Sequence, residues 1–296
     1  MTRTRSRVAP WSTSPKNPAE RVQVLGAEDT AALQHLVEQD PVANVFMASQ
    51  LEALGTAVPT ALGSDTLGYF DDDGILAAAC WVGANVVPVQ VTSEQAPAFG
   101  RWLAASRRRF ASVFGPAEAV LGIFAVLESS GATPVEVRAN QPLLELRGEP
   151  AVPPNPALVP SRPEDFAEIL PAAAAMFEEE VGYSPYLGGE EHYRSRVAAL
   201  IRDGHSLSHL DVEGKVIFKA DLGAVSRDVA QIQGVWLDPS YRGLGLSAGY
   251  MAAVVSLARR HAPIASLYVN DYNSAARASY QRVGFDQVGT FATVLF

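Results

Sequence analysis

The stretch "SYRGLGLSAGYMAAVV", residues 240–255, decides how this chain is read. Gly243 and Gly245 follow Arg242 directly, and a run with helical composition begins at Ser247. The preceding "VAQIQGVWLD", residues 229–238, reads as a strand. Strand, tight glycine turn and helix together make an anion site. The first N–H groups of a helix have no internal partner, and the helix dipole adds partial positive charge there. The glycines remove side chains that would hold a phosphate away, and Arg242 can add a charge-assisted contact at the rim. Taken alone, the pattern also fits a packing turn. It fits a dinucleotide fingerprint too, because Gly243, Gly245 and Ala248 satisfy G-x-G-x-x-[G/A]. Only about fifty residues follow the loop, too few for the long βαβ series that fingerprint opens.

The 296 residues give room for two ordinary domains. A content of 48% hydrophobic and 19% charged residues supports a sizeable core. The net charge of -9 disfavours non-specific binding to nucleic acid or anionic membranes. Cys80 is the single cysteine, so no internal disulfide forms, and a cytoplasmic, reducing setting fits. It sits in the apolar run "LAAACWVG" with no base in view, and is expected in the core. No stretch approaches the apolar length of a membrane span. The first twenty residues are expected to be mobile.

"GEPAVPPNPALVP", residues 148–160, carries five prolines and reads as a linker outside helix and regular sheet. It divides the chain into residues 21–147 and 161–296. The two parts look like distant copies. "DDDGILAAACWVG" (71–83) and "DVEGKVIFKADLG" (211–223) share D-x-[D/E]-G, eight residues, then G, which suits a hairpin turn followed by a strand.

In the second part, Ser161 and Glu164 stand at capping-box spacing, and Pro171 can open a further helical turn. A helix closed by Gly204 and a hairpin over 206–223 follow. After the glycine loop and its helix come a buried strand, "IASLYVN", and a short helix capped by Asn273 and stopped by Gly284. The last strand is "DQVGTFATVLF". The five histidines show no metal-ligand spacing, so no metal is expected.

"VWLDPSYRGLGLSAGY" followed by "LYVNDYNSAARASYQRVGF" resembles the GNAT N-acetyltransferase superfamily. Arg242, Gly243, Leu244, Gly245 and Leu246 fit the first five places of the family's [Q/R]-x-x-G-x-[G/A] loop as it stands here, and Ser247 replaces its usual Gly or Ala. Asn270, Asn273, Tyr280, Gly284 and Phe285 match its later pattern. The resemblance covers residues 229–296 most specifically, and the apparent duplication is similar to tandem members such as mycothiol synthase. It implies an α/β (α+β) fold of two GNAT-like domains, each a mixed, mostly antiparallel sheet flanked by helices. The first copy lacks an arginine–glycine loop after "ANVVPVQVTSEQAPAFG" and is expected to be degenerate.

The resemblance further implies acetyl-CoA, or another short acyl-CoA, as co-substrate. Its pantetheine arm would lie along Val235, Trp236 and Leu237, and its pyrophosphate on the N–H groups of the loop from Gly243 to Ser247. Tyr280 would protonate the leaving thiolate. The base stays open, because Gln231 and Gln233 occupy the strand where many family members place a glutamate. Glu179 and Glu180, in "FEEEVGYSP", are the leading candidates, with His205 and His209 behind them. The expected activity is direct transfer to a small-molecule or peptide amine. The alternative is a non-catalytic acyl-CoA-binding or regulatory protein. The acceptor is not named by the sequence, and an oligomer remains open.

Overall fold

The computed structural model describes residues 21–60 and 63–296; the expectation for residues 1–20 lies outside them. The first part runs β1 (Val22–Val24), α1 (Thr30–Glu38), α2 (Val45–Leu54), β2 (Asp65–Phe70), β3 (Leu76–Val82) and β4 (Asn85–Val89). It continues with α3 (Ala96–Ser106), β5 (Ser112–Pro116), α4 (Ala117–Ser129) and β6 (Glu136–Leu146). The second runs β7 (Val159–Pro160), α5 (Phe166–Val181), α6 (Glu190–Arg202), β8 (Ser206–Leu210), β9 (Val216–Val225) and β10 (Val229–Leu237). It ends with α7 (Ser247–Ala258), β11 (Ile264–Tyr268), α8 (Ser274–Val283) and β12 (Asp286–Leu295).

All twelve strands form one sheet, in the order β1-β2-β3-β4-β5-β12-β6-β11-β10-β9-β8-β7. Only β4–β5 and β10–β11 are parallel; the other pairs are antiparallel. The mixed, mostly antiparallel sheet with flanking helices is the fold class expected from the sequence. The centre of the sheet is interleaved. β6, from before the prolines, lies between β11 and β12, and β12 reaches across to pair with β5.

The two hairpin turns are structural copies. Asp71 Oδ1 accepts from the N–H groups of Asp73 and Ile75 at 3.0 and 2.8 Å. Asp211 Oδ1 accepts from those of Glu213 and Lys215, both at 2.9 Å. Gly74 and Gly214 take φ of +78° and +84°, which a glycine adopts without strain.

Helices α7 and α8 cover one face of the second part, packing Met251, Val254, Val255, Tyr280 and Val283 on Phe218, Ala220, Leu222 and Ile232. Helices α5 and α6 cover the other, where Ile169, Ala173, Val197 and Ile201 meet Val216 and Trp236. The first part buries Leu67, Cys80, Phe99 and Ile123, and Val294 of β12 joins them. Cys80 is fully buried, as expected, and burial pushes its thiol far up.

Three local expectations are corrected. Ser161 caps no helix. It is buried and its hydroxyl donates toward those of Ser206 and Ser208 at 3.1 and 2.9 Å, while α5 starts at Phe166 after a 3-10 turn. Pro171 does not start a helix but lies inside α5. The proline stretch does contain a strand: Val159 and Pro160 pair with Ser208 and Leu207 at the sheet edge, where a proline is tolerated.

Candidate functional site

β10 makes the floor of the site. It pairs with β11 only through Val229, Ala230 and Gln231. Beyond Gln231 the two strands part, and β11 runs on beside β6 as far as Tyr268. On the other side, the register of β10 with β9 shifts between Gln233 and Trp236. Gly234 and Val235 thus form a bulge without register partners, with Gly234 at φ +58°. From Ile232 to Leu237 the edge of β10 that turns toward β11 has no strand partner, and the gap between the two strands is a cleft with β11 as its far wall.

The cleft leads to the glycine loop. Asp238 caps a 3-10 turn over Pro239–Tyr241, accepting from the Ser240 N–H at 2.8 Å. Lys215 Nζ lies 2.9 Å from Asp238 Oδ2 and, with these hydrogen bonds, holds the carboxyl below its usual range. Gly243 and Gly245 take φ of +78° and +75°, and a Cβ at either would meet nothing within 4 Å. The loop is therefore an open cradle. Helix α7 starts at Ser247 with no side-chain cap on its first N–H groups. Those donors, at the positive end of a helix of twelve residues, suit a pyrophosphate.

The other candidate residues fall around this cleft. Trp236 and Leu237 are buried, and the Leu237 carbonyl accepts from Arg242 Nε at 2.9 Å. Leu244 is exposed at the loop tip, and Leu246 packs partly into the core. Asn273 caps α8, accepting from the Ala276 N–H at 3.2 Å. Asn270 Oδ1 accepts from Gln141 Nε2 of β6 at 2.9 Å. Tyr280 is buried, and burial together with the Glu180 carboxylate pushes its phenol well up.

The two glutamates at the end of α5 sit differently. Glu179 Oε1 accepts from the Trp236 indole N–H at 3.1 Å, and both its carboxylate oxygens accept from Arg242 Nη2, at 3.0 and 2.8 Å. Glu180 is 3.7 Å from Arg138 Nη1, and its own carbonyl accepts from Arg138 Nη2 at 2.6 Å. His209 Nδ1 lies 2.6 Å from the Tyr250 hydroxyl, on the α7 face, and His205 stands edge-on to His261. Neither histidine joins the α5 side.

Several residues here were not singled out from the sequence. Arg138, on β6, is buried and brings a cation from the first part of the chain to Glu180. Tyr268 ends β11, and its hydroxyl is pushed to about 12 by burial, then by Glu180, against the lowering effect of Arg138 and Arg196. Lys219 and Asp221 lie on β9 directly under the bulge, Nζ to Oδ2 at 2.6 Å. Their signal was in the sequence: opposite charges two apart in the apolar run "VIFKADLGAV" share one strand face.

A cavity of about 300 Å³ lies at the other end of β10, between α1, α2 and the Ser226–Asp228 turn. None of the candidate residues lines it. Among the described residues no group of three potential ligands could hold a metal ion, and no helix is long and apolar enough to cross a membrane.

Residues 173–285 match the acetyltransferase (GNAT) family, and residues 64–169 match a domain of unknown function, DUF4081. No curated protein matches the sequence. Among solved structures, a GCN5-related N-acetyltransferase from Sphaerobacter thermophilus is 17% identical, with TM-score 0.58 over 92% of this chain and 94% of that one. A GNAT-family acetyltransferase from Colwellia psychrerythraea is 14% identical, with TM-score 0.55 over 93% and 99%. A tandem GNAT protein from the clavulanic acid biosynthesis pathway is 15% identical, with TM-score 0.53 over 92% and 97%. These likenesses extend along nearly the whole chain and are likenesses of fold.

Proposed function

We propose, from the match of residues 173–285 to the GNAT acetyltransferase family, that the protein moves an acyl group, most simply acetyl, from an acyl-coenzyme A to an amine. The single observation that carries this reading is the open cradle: two left-handed glycines with free space around them, ahead of an uncapped helix start. The co-substrate supplies an activated thioester.

In this reading the N–H groups of Gly243, Leu244, Gly245, Leu246 and Ser247 hold the pyrophosphate, and Arg242 closes the rim. The free backbone edge of Val235, Trp236 and Leu237 aligns the pantetheine arm, and an N–H at the bulge polarises the acyl carbonyl. Asn270 and Asn273 border the far wall. Tyr280 keeps its proton at neutral pH and presents it to the sulfur that leaves. Glu180 stands beside Tyr280, and Glu179 positions Arg242 and Trp236. We assign residues 161–296 as the catalytic domain and 21–147 as a degenerate copy, joined by 148–160. The copy supports the site through Arg138 and Gln141 on β6. The lone buried Cys80 suits a cytoplasmic protein.

A second reading, acyl-CoA binding without transfer, draws on Gln231 and Gln233, which cannot accept a proton. Calorimetry with acetyl-CoA tests both. Saturable binding by the wild type is expected, lost in Gly245→Glu with circular dichroism unchanged. Thiol release with a panel of primary amines then separates transfer from binding alone. No binding by the wild type overturns both readings.

A further inference from the structure

Under the bulge of β10 lies a buried charge pair. Lys219 is 1% exposed and Asp221 6%. Lys219 Nζ donates to Asp221 Oδ2 at 2.6 Å and to the Gly234 carbonyl at 3.2 Å. Both residues sit on the α5–α6 face of β9, Lys219 opposite Trp236 and Asp221 opposite Gln233. A Cβ at Gly234 would come within 3.0 Å of Asp221 Oδ2, 3.1 Å of Met176 Cε and 3.4 Å of Lys219 Nζ. The pair therefore presses against the backbone of the bulge itself.

A buried ion pair of this kind does little for stability, since desolvation offsets most of its attraction. Its arrangement is informative instead. Lys219 fixes one carboxylate oxygen, and among the described residues nothing donates to the other, Oδ1. Oδ1 is not among the fully sealed polar atoms, so a carboxylate pinned at one oxygen keeps acceptor capacity at the other for a donor from outside the chain.

The surroundings define that donor. The phenol of Tyr193, on α6, is pushed up to about 12 by burial, with the Asp221 charge adding to the effect. Tyr193 stacks edge-on against Phe177 and Tyr186, with centroids 5.9 Å away in each case, and Phe177 meets exposed Tyr183 at 5.7 Å. This aromatic wall runs from exposed Tyr183 to Tyr193, which packs in one apolar cluster with Met176 and Trp236, and Met176 Cε and Asp221 Oδ2 both border Gly234. Aromatic faces followed by a carboxylate suit an organic cation with an apolar body.

Resting on the transferase reading, we propose that Asp221 Oδ1 binds the ammonium group of the acceptor, so that the acceptor is a primary amine with an apolar body that enters past Tyr183 and Tyr193. Lys219 is a positioning residue. It holds Oδ2 against the bulge and leaves Oδ1 turned to the incoming nitrogen. The sequence has no carboxylate on β10 for this purpose, and Asp221 supplies one from the neighbouring strand.

The test uses the full chain and 2-phenylethylamine hydrochloride as probe, titrated calorimetrically in the presence of coenzyme A. Saturable binding is expected for the wild type. Asp221→Asn should weaken it tenfold or more while leaving the acetyl-CoA dissociation constant within twofold. The neutral isostere 2-phenylethanol should bind equally to both proteins. Asp221→Asn leaves Lys219 buried without its anion and can lower stability, so Lys219→Met/Asp221→Leu, which removes both charges, is measured alongside. It too should lose the probe and keep acetyl-CoA. Equal probe affinity in wild type and either variant overturns the proposal, as does a wild type that binds acetyl-CoA and not the amine. A wild type that fails to bind acetyl-CoA removes the transferase reading beneath it.

Discussion

Arg242 and Glu179 form a two-oxygen ion pair across the mouth of the glycine loop, with Nη2 at 2.8 and 3.0 Å from the two carboxylate oxygens. Both side chains are nearly half exposed, so the pair adds little to stability. Its weight falls on binding, because a guanidinium committed to Glu179 must be shared with any phosphate in the cradle. Arg242→Ala is expected to weaken acetyl-CoA binding about tenfold, the value of one charge-assisted contact. Glu179→Gln frees Arg242 and should leave affinity equal or tighter. Calorimetry on both variants decides; weaker binding in Glu179→Gln would show that Glu179 supports the loop by another route.

Tyr280 is held protonated by burial, with Glu180 adding to the effect. Tyr280→Phe keeps the ring and removes the proton. The expected result is a fall in kcat of about a hundredfold, the scale of general acid catalysis, with acetyl-CoA affinity unchanged. Because the phenol pKa is raised, the alkaline limb of the rate profile should be the same in variant and wild type apart from amplitude. An unchanged kcat at saturating substrate removes Tyr280 from the chemistry.

Arg138 is one link between the two parts of the chain at the site, beside Gln141. Its side chain is 7% exposed, and it serves Glu136, Glu180 and the Glu180 carbonyl. Glu136 and Glu180 are partly exposed and keep water as a partner, so Arg138→Ala should cost about 1–2 kcal/mol in urea unfolding, mainly from the lost Glu180 carbonyl contact and packing. Arg138→Lys keeps the charge without the planar fork and should recover only part of that. A loss below about 0.5 kcal/mol in Arg138→Ala would mean that the ion pairs contribute nothing to holding the parts together.

Stability should form a plateau bounded on both sides. Burial raises Cys80 above 9.0, and Tyr193 and Tyr268 from 10.0 to about 12. Each favours the folded state fully below its unfolded value and loses that contribution as pH rises toward the folded one. His205 and His209 are lowered from 6.5, mainly by burial, so their contribution is present above that value and lost as pH falls. Tm should be flat from about pH 7 to 9 and drop beyond each edge. Cys80→Ala should move the alkaline edge upward; an edge that does not move excludes the thiol as its source.

The glycine loop, both hairpins and the Asn273 cap were readable because each depends on neighbours within one turn or one strand pair. Ser161 misled for the opposite reason. Its spacing to Glu164 is local, but two buried serines from the edge strand β8 claim its hydroxyl. The spacing of Lys219 and Asp221 puts them on one strand face, but only the bulge above them, set by the pairing of β9 with β10, gives the pair a place. The exchange of β6 and β12 was out of reach. Thr293 and Arg138 pair across more than a hundred residues, and no local pattern states which strand edge a distant strand will find.

That exchange has a consequence for how the protein is made. β12 follows every other strand in the chain, yet it is wedged between β5 and β6. While the ribosome is still translating, the edges of β5 and β6 that β12 will cover stay bare, and bare edges invite pairing with other chains. Neither part of the molecule can close its sheet until residues 286–295 leave the exit tunnel. A nascent chain of this design must be sheltered until that strand arrives, and losing residues 286–295 would undo the part translated first.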